Sequence, residues 1–323
     1  MNSNLNLNKF EIQNELGQGS FSKVYKIRDK ETNVIYAAKV IQNKHFIDFS
    51  ISTEISILSH CNHPSIIKLI GYCSNDFNGK KDPVIITEYL QNGTLEDILE
   101  VERSGIKIPF WDDTMRLINI YGIASAMSYL HSKNIIHCDL KPGNVLLDDF
   151  LFPKLSDFGL SKSLDKTNEK ERPQKQIGMI GTASFIAPEI LKENKYSKKS
   201  DVYAFGMTVF EIMTKEYPFD GTQDILIEYK VSVEGKRPEI KKEVPNIYKE
   251  LIQSCWNQDP DERPSFDSII DDLKNKKEFI TEKINENNFH SYIENATSSF
   301  SKYSFKKIYE EYEKMMKLEI PDF

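Results

Sequence analysis

The stretch IIHCDLKPGNVLL, residues 135–147, decides how the rest of the chain is read. Two apolar, strand-like runs enclose a short polar loop that carries Asp139, Lys141 and Asn144. A carboxylate, an ammonium and a carboxamide on one loop suit chemistry at a hydroxyl next to a phosphate. Asp139 can orient the hydroxyl and accept its proton, while Asn144 offers a hard oxygen to a metal ion. Cys138 stands directly before the aspartate.

Downstream, LSDFGLS (155–161) supplies Asp157 ahead of a glycine. Asn144 and Asp157 together suit Mg²⁺, which prefers oxygen ligands shared with substrate phosphates. Upstream, Lys39 lies on the strand-like AAKV (37–40) and Glu54 on the following helical stretch, ISTEISILSH. A lysine that touches phosphates needs a carboxylate to hold its flexible stem; the plain alternative is a surface Lys–Glu pair of little energetic worth. Further upstream, GQGSFSKV (17–24) places Gly17, Gln18, Gly19 and Ser20 in a turn whose backbone N–H groups can approach phosphates. A hairpin turn explains that stretch equally well, since Ser22 stands where a third glycine would be. Val24 would form an apolar ceiling over a flat base.

In this order, GQGSFSKV, AAKV, HCDLKPGN, DFG, APE (187–189) and DVYAFG (201–206) resemble the motifs of the eukaryotic protein kinase family, over about residues 10–275. The resemblance implies an α+β, bilobal fold with ATP in the cleft. A small antiparallel-sheet lobe with one main helix would run to about residue 87, a hinge over 88–93, and a larger helical lobe over 94–275. It assigns Lys39 to the α/β-phosphates with Glu54 as its partner, Asp139 as the base with Lys141 beside it, and Asn144 and Asp157 as ligands of Mg²⁺, or alternatively Mn²⁺. Val24, Ala37 and Leu146 would sandwich the adenine; Thr87 would be a small gatekeeper before hinge residues Glu88, Tyr89 and Leu90. Further carry-overs are Thr182 bonding the catalytic Asp and Lys, Asp201 anchoring the catalytic loop, and Glu189 paired with Arg263. Leu58, Leu69, His137 and Phe158 would form a stacked column, which makes His137 a packing residue.

Lys141 within DLKPGN resembles the serine/threonine enzymes, whereas EYLQNGTL and CWNQDPDERPSF resemble tyrosine kinases. That mixture is similar to the tyrosine-kinase-like group, and implies serine and threonine acceptors on protein substrates, with dual specificity as the runner-up. A nucleotide-binding scaffold with negligible transfer is the reading from a different class; it has no need of Lys39, Asp139, Asn144 and Asp157 together. In many family members an arginine occupies the place of Cys138 and docks a phosphate added to the activation loop. A thiol cannot form that contact, and NEKERPQKQIGMIG (168–181) has no serine, threonine or tyrosine to accept a phosphate. The expectation is a kinase without the ordinary phosphoswitch, with basal activity, or control through its tail or by a partner on the Glu54 helix, in its place.

A net charge of −7 over 323 residues argues against a nucleic-acid partner. Four scattered cysteines without a C-x-x-C pair, no apolar signal core at the N-terminus, Asn2 in place of a myristoylated glycine, and no apolar run long enough to span a bilayer point to a cytoplasmic chain without a membrane segment. Residues 276–323 read as a charged helical tail, with Phe305, Ile308, Tyr312 and Met315 at helical spacing. Helix signals elsewhere include an approximate capping box at Thr94 and Asp97, and Asp112 or Asp113 as the cap of a helix whose Leu117, Tyr121, Ala124 and Leu130 share a face.

Overall fold

The computed structural model describes residues 5–19, 22–42, 47–164 and 183–294. The chain divides into two compact units, Met1–Leu90 with Ser156–Ser161, and Gln91–Leu155 with Lys162–Phe323.

The first unit holds strands β1 (Phe10–Gln18), β2 (Ser22–Asp29), β3 (Ile35–Ile41), helix α1 (Ile47–His60), β4 (Leu69–Cys73) and β5 (Val84–Glu88). The strands form one antiparallel sheet in the order β1-β2-β3-β5-β4. Within the run SIIKLIGYC the strand begins at Leu69, and Ile66 and Ile67 are buried ahead of it. Alternation along the strands separates two faces. Ile27, Ala38, Val40, Val84 and Ile86 pack with Leu7 and Phe10 into a core, where each fully buried Ile or Val is worth roughly 1.5–3 kcal/mol. The other face follows from register. Gly17 pairs with Val24, Val24 with Lys39, Lys39 with Ile85, and Ala37 with Thr87. On α1, Ile51, Glu54, Ile57 and Leu58 fall at helical spacing and are all buried, so the carboxylate stands in an apolar stripe.

The second unit carries α2 (Leu95–Arg103), α3 (Asp113–Ser132), short strands β6 (Ile135–Ile136), β7 (Val145–Leu147), β8 (Pro153–Leu155) and β9 (Lys162–Ser163), then α4 (Pro188–Glu193), α5 (Lys198–Thr214), α6 (Asp224–Ser232), α7 (Asn246–Cys255), α8 (Phe266–Asn275) and α9 (Glu286–Ile293). Thr94 and Asp97 close a reciprocal capping box on α2, and Asp112 caps α3 by accepting from the Met115 N–H. Helix α3 is not the one-faced helix that its spacing predicts. Every residue from Thr114 to Ile120 is buried, because α5, α8, α9 and β8 surround it. Tyr121, expected on the buried face, is only partly covered.

Of the 276–323 tail, α9 folds back onto α3. Phe289 is fully buried, its ring 5.6 Å from that of Tyr121, and the Asn285 N–H donates to Thr114 Oγ1 at 2.9 Å. The stripe from Phe305 to Met315 lies outside the described residues. Among the described residues no helix is long and apolar enough to cross a membrane.

Near the end of α5 a charge is placed at cost. Glu211 is 1% exposed and accepts from Arg103 Nη1 at 3.0 Å. Burial pushes its carboxyl up to about 7, against the pull of Arg103. A folded-state pKa above the ordinary 4.5 means the favourable contribution is full below 4.5 and is lost as pH rises toward 7. The melting temperature of the native chain should therefore fall relative to Glu211→Gln between about pH 5 and pH 8. Parallel curves would show that this carboxylate is ionised throughout.

Candidate active site

Lys39 is the centre of the first unit's polar face. Its Nζ donates to Glu54 Oε1 and Oε2 at 3.1 and 3.0 Å, and to Asp157 Oδ1 at 2.9 Å. All three ammonium donors are thereby directed at carboxylate oxygens, which removes the freedom of the four-carbon stem. Burial disfavours the charge on Lys39, but Glu54 and Asp157 outweigh it and raise the pKa above the ordinary lysine value. Glu54 is also raised, by burial first and by Asp157 in addition, with Lys39 opposing. The plain alternative of an exposed surface pair does not describe this site, since Glu54 is 4% exposed. Asp157 sits at φ +57°, a conformation that aspartate tolerates better than most residues.

Val24 and Ala37 are half-buried apolar groups on the same sheet face as Lys39, with Thr87 beside Ala37 across the β3–β5 pairing. Glu88 is engaged locally: its N–H donates to Lys68 O and its Oε1 accepts from the Lys68 N–H. In the β1–β2 turn, the Gly19 N–H donates to Ser22 O at 2.8 Å, and a Cβ at Gly17 would meet nothing within 4 Å. Packing of the described residues thus leaves the glycine at 17 unexplained. Ser20 lies outside the described residues, as do Thr182 and the 168–181 stretch.

In the second unit, β6 and β7 bracket the loop. Asn144 Nδ2 donates to both the backbone O and Oδ2 of Asp139, each at 2.7 Å. That orients the amide so that its oxygen is the atom a cation would meet. Lys141 Nζ is 3.4 Å from Asp139 Oδ2. The Asp139 N–H donates to His137 Nδ1 at 3.3 Å, and His137 is fully buried. Leu146 is half-buried on β7.

Two buried charges hold the frame. Asp201, 2% exposed, accepts from the His137 N–H at Oδ2 and from the Cys138 N–H at Oδ1, both at 2.9 Å. These bonds fix Cys138 at φ +70°, a strained conformation for a residue with a Cβ. The thiol donates back to Ile136 O at 3.7 Å. Below the loop, Arg263 and Glu189 form a two-toothed pair, Nη1 to Oε1 at 2.7 Å and Nη2 to Oε2 at 2.8 Å. A small cavity beside Asp139 is walled by Cys138, Leu140, Phe185, Ile190 and Tyr196.

Leu58, Leu69 and Phe158 are all buried in the first unit, while His137 belongs to the second. Sequence reasoning missed two neighbours of the loop. His131 Nε2 lies 2.9 Å from Asp201 Oδ2, and Glu96 stands against Gly143.

A family profile described as the protein kinase domain matches residues 10–274. The chain belongs to the protein kinase family. This protein kinase is 32% identical to the Arabidopsis thaliana serine/threonine/tyrosine-protein kinase HT1, over 85% of its own length and 68% of that relative. It is 33% identical to the dual specificity protein kinase pyk3 of Dictyostelium discoideum, over 82% of its length and 18% of pyk3. A second Dictyostelium discoideum relative, named a probable serine/threonine-protein kinase, is 34% identical over 82% of the chain and 28% of the relative. The kinase thus spans under a third of the length of several curated relatives it matches.

Proposed function

We propose that this chain transfers the γ-phosphate of Mg·ATP to serine and threonine hydroxyls of protein substrates in the cytoplasm. The observation that supports it most is the loop around Asp139, in which base, ammonium and carboxamide are held together and clamped from beneath by Asp201. Asp139 would orient the acceptor hydroxyl and take its proton. Lys141 would face the negative charge of the transferred group. Lys39, fixed by Glu54, would align the α/β-phosphates, with Gly17, Gln18, Gly19 and Ser20 over them. Val24, Ala37, Thr87, Glu88, Leu90 and Leu146 would line the base.

The donor chemistry at Asn144 and Asp157 fits Mg²⁺ or Mn²⁺: one amide oxygen and one carboxylate, both hard, with phosphate oxygens to complete the shell. When bound, the metal would neutralise phosphate charge. Among the described residues no group of three or more His, Cys, Asp and Glu could hold a metal alone, and this donor set does not require one.

A second reading, dual specificity, is favoured by the names of two relatives, a serine/threonine/tyrosine kinase and a dual specificity kinase. Regulation follows from Cys138, whose thiol turns back to its own chain and offers no charge to a loop phosphate. Phosphatase-treated protein should keep its transfer rate, with products sorting into phosphoserine and phosphothreonine. Loss of activity on treatment, traced to a phosphosite within 161–184, would refute the missing switch; abundant phosphotyrosine would favour dual specificity.

A further inference from the structure

Helix α9 lies beyond residue 274, where the match to the family profile ends. Its eight residues are too few for a helix that holds itself in water, so its order comes from its seat on α3 and β8. The Asn285 N–H is held by Thr114 Oγ1, and Phe289 is fully buried against Tyr121. The Tyr292 ring lies 4.7 Å from that of Phe152 and 6.3 Å from that of Tyr121. Gly122 indicates that α3 is shaped for this seat. Glycine is among the poorest residues for a helix interior, yet Gly122 is buried in the middle of α3. A Cβ there would collide with the Tyr292 hydroxyl and stand 2.5 Å from Pro153 Cγ. The missing side chain is the notch that receives the α9 tyrosine.

The hairpin against which α9 packs continues directly from the catalytic loop. Strand β7 begins at Val145, the residue after Asn144, and carries Leu146. Its turn is closed by Asp148, whose Oδ1 accepts from the Phe150 and Phe152 N–H groups at 2.8 and 3.0 Å. Leu151 in that turn sits at φ +63°, a conformation that needs support from its surroundings. Two side chains give some of it: Asn92 Nδ2 donates to Asp148 O at 2.6 Å, and Asn119 Nδ2 to Leu151 O at 3.0 Å. Tyr292 adds the contact to Phe152, and it is the contribution that comes from outside the profile-matched stretch.

We propose that α9 is a strap that holds the β7–β8 hairpin, and with it Asn144 and Leu146, in the arrangement that binds Mg·ATP. A partner that lifts α9 out of the Gly122 notch would lower nucleotide affinity without touching either residue. The proposal rests on the phosphotransfer reading above, which assigns Asn144 to the metal and Leu146 to the base.

The test uses the full chain. Phe289→Asp puts a charge where a ring is fully buried and should release α9, and Tyr292→Ala should loosen it. Tyr292→Phe keeps the ring, and Asn287→Ala changes an exposed position of the same helix; both should behave as the native chain. Amide hydrogen exchange should quicken over 286–293 in the first two variants, and together with it over 148–152. Their Kd for Mg·ATP, measured well below the melting temperature, should rise about two- to ten-fold, the scale of a lost aromatic contact. Fast exchange over 286–293 with native protection over 148–152, or with an unchanged Kd, would overturn the proposal and leave α9 as a helix that only packs. Native protection of 286–293 in Phe289→Asp would overturn it as well, because the seat would not be the one that Phe289 fills. Absence of phosphate transfer by the native chain would instead refute the phosphotransfer reading, with exchange over 148–152 still deciding the strap.

Discussion

Replacing Arg263 by alanine should destabilise the second unit by about 3–5 kcal/mol, the cost of stranding a buried carboxylate. Arg263 is 1% exposed, and every arm of its guanidinium is committed. Nε donates to Asn257 O at 2.8 Å, Nη1 to Glu189 Oε1 and to Lys199 O at 2.8 Å, and Nη2 to Glu189 Oε2. The plane also lies 5.2 Å from the Tyr203 ring centre. One side chain therefore joins the first turns of α4 and α5 to the segment between α7 and α8. Lysine cannot substitute, because a point charge lacks the fork that meets two oxygens and two carbonyls at once. Urea unfolding of Arg263→Ala and Arg263→Lys should show both losses, and the Glu189→Met/Arg263→Met pair should lose less than the sum of its single changes. A cost below about 1 kcal/mol for Arg263→Ala would mean the pair is solvated like a surface one.

Much of the fold was legible because local signals agreed with one another. Alternation marked the strands of the first unit, and helical spacing through Ile51, Ile57 and Leu58 carried Glu54 onto the buried face. The capping box at Thr94 and the cap at Asp112 were readable from residue types alone. Spacing failed where burial is complete. On α3 and α5, apolar and small residues run on every side, so no face can be told from another. The site was legible as a set of residue types in order, but its supports were not. Nothing in the sequence says that His131 reaches Asp201, or that Cys138 is held at positive φ by two bonds to that aspartate. The Glu96 contact also depends on where a helix crosses a loop, which is a matter of tertiary packing rather than local pattern.

Asp139→Asn carries the second large effect. Asparagine preserves the volume and can still accept from Asn144 Nδ2, so the loop should keep its shape. What disappears is the basic oxygen that would take the hydroxyl proton, together with the negative charge facing Lys141. General-base removal is worth about 10²- to 10⁴-fold in rate. Nucleotide affinity should hold, because Lys39, Glu54 and Asp157 are untouched. The most direct measurement is the initial rate of γ-phosphate transfer from saturating Mg·ATP to a protein substrate, native chain beside Asp139→Asn, with ATP binding measured on both. A native rate at least about a hundred-fold above that of Asp139→Asn, at equal ATP affinity, is the result expected. Equal rates in two proteins that both bind ATP would contradict the account and leave a nucleotide-binding scaffold.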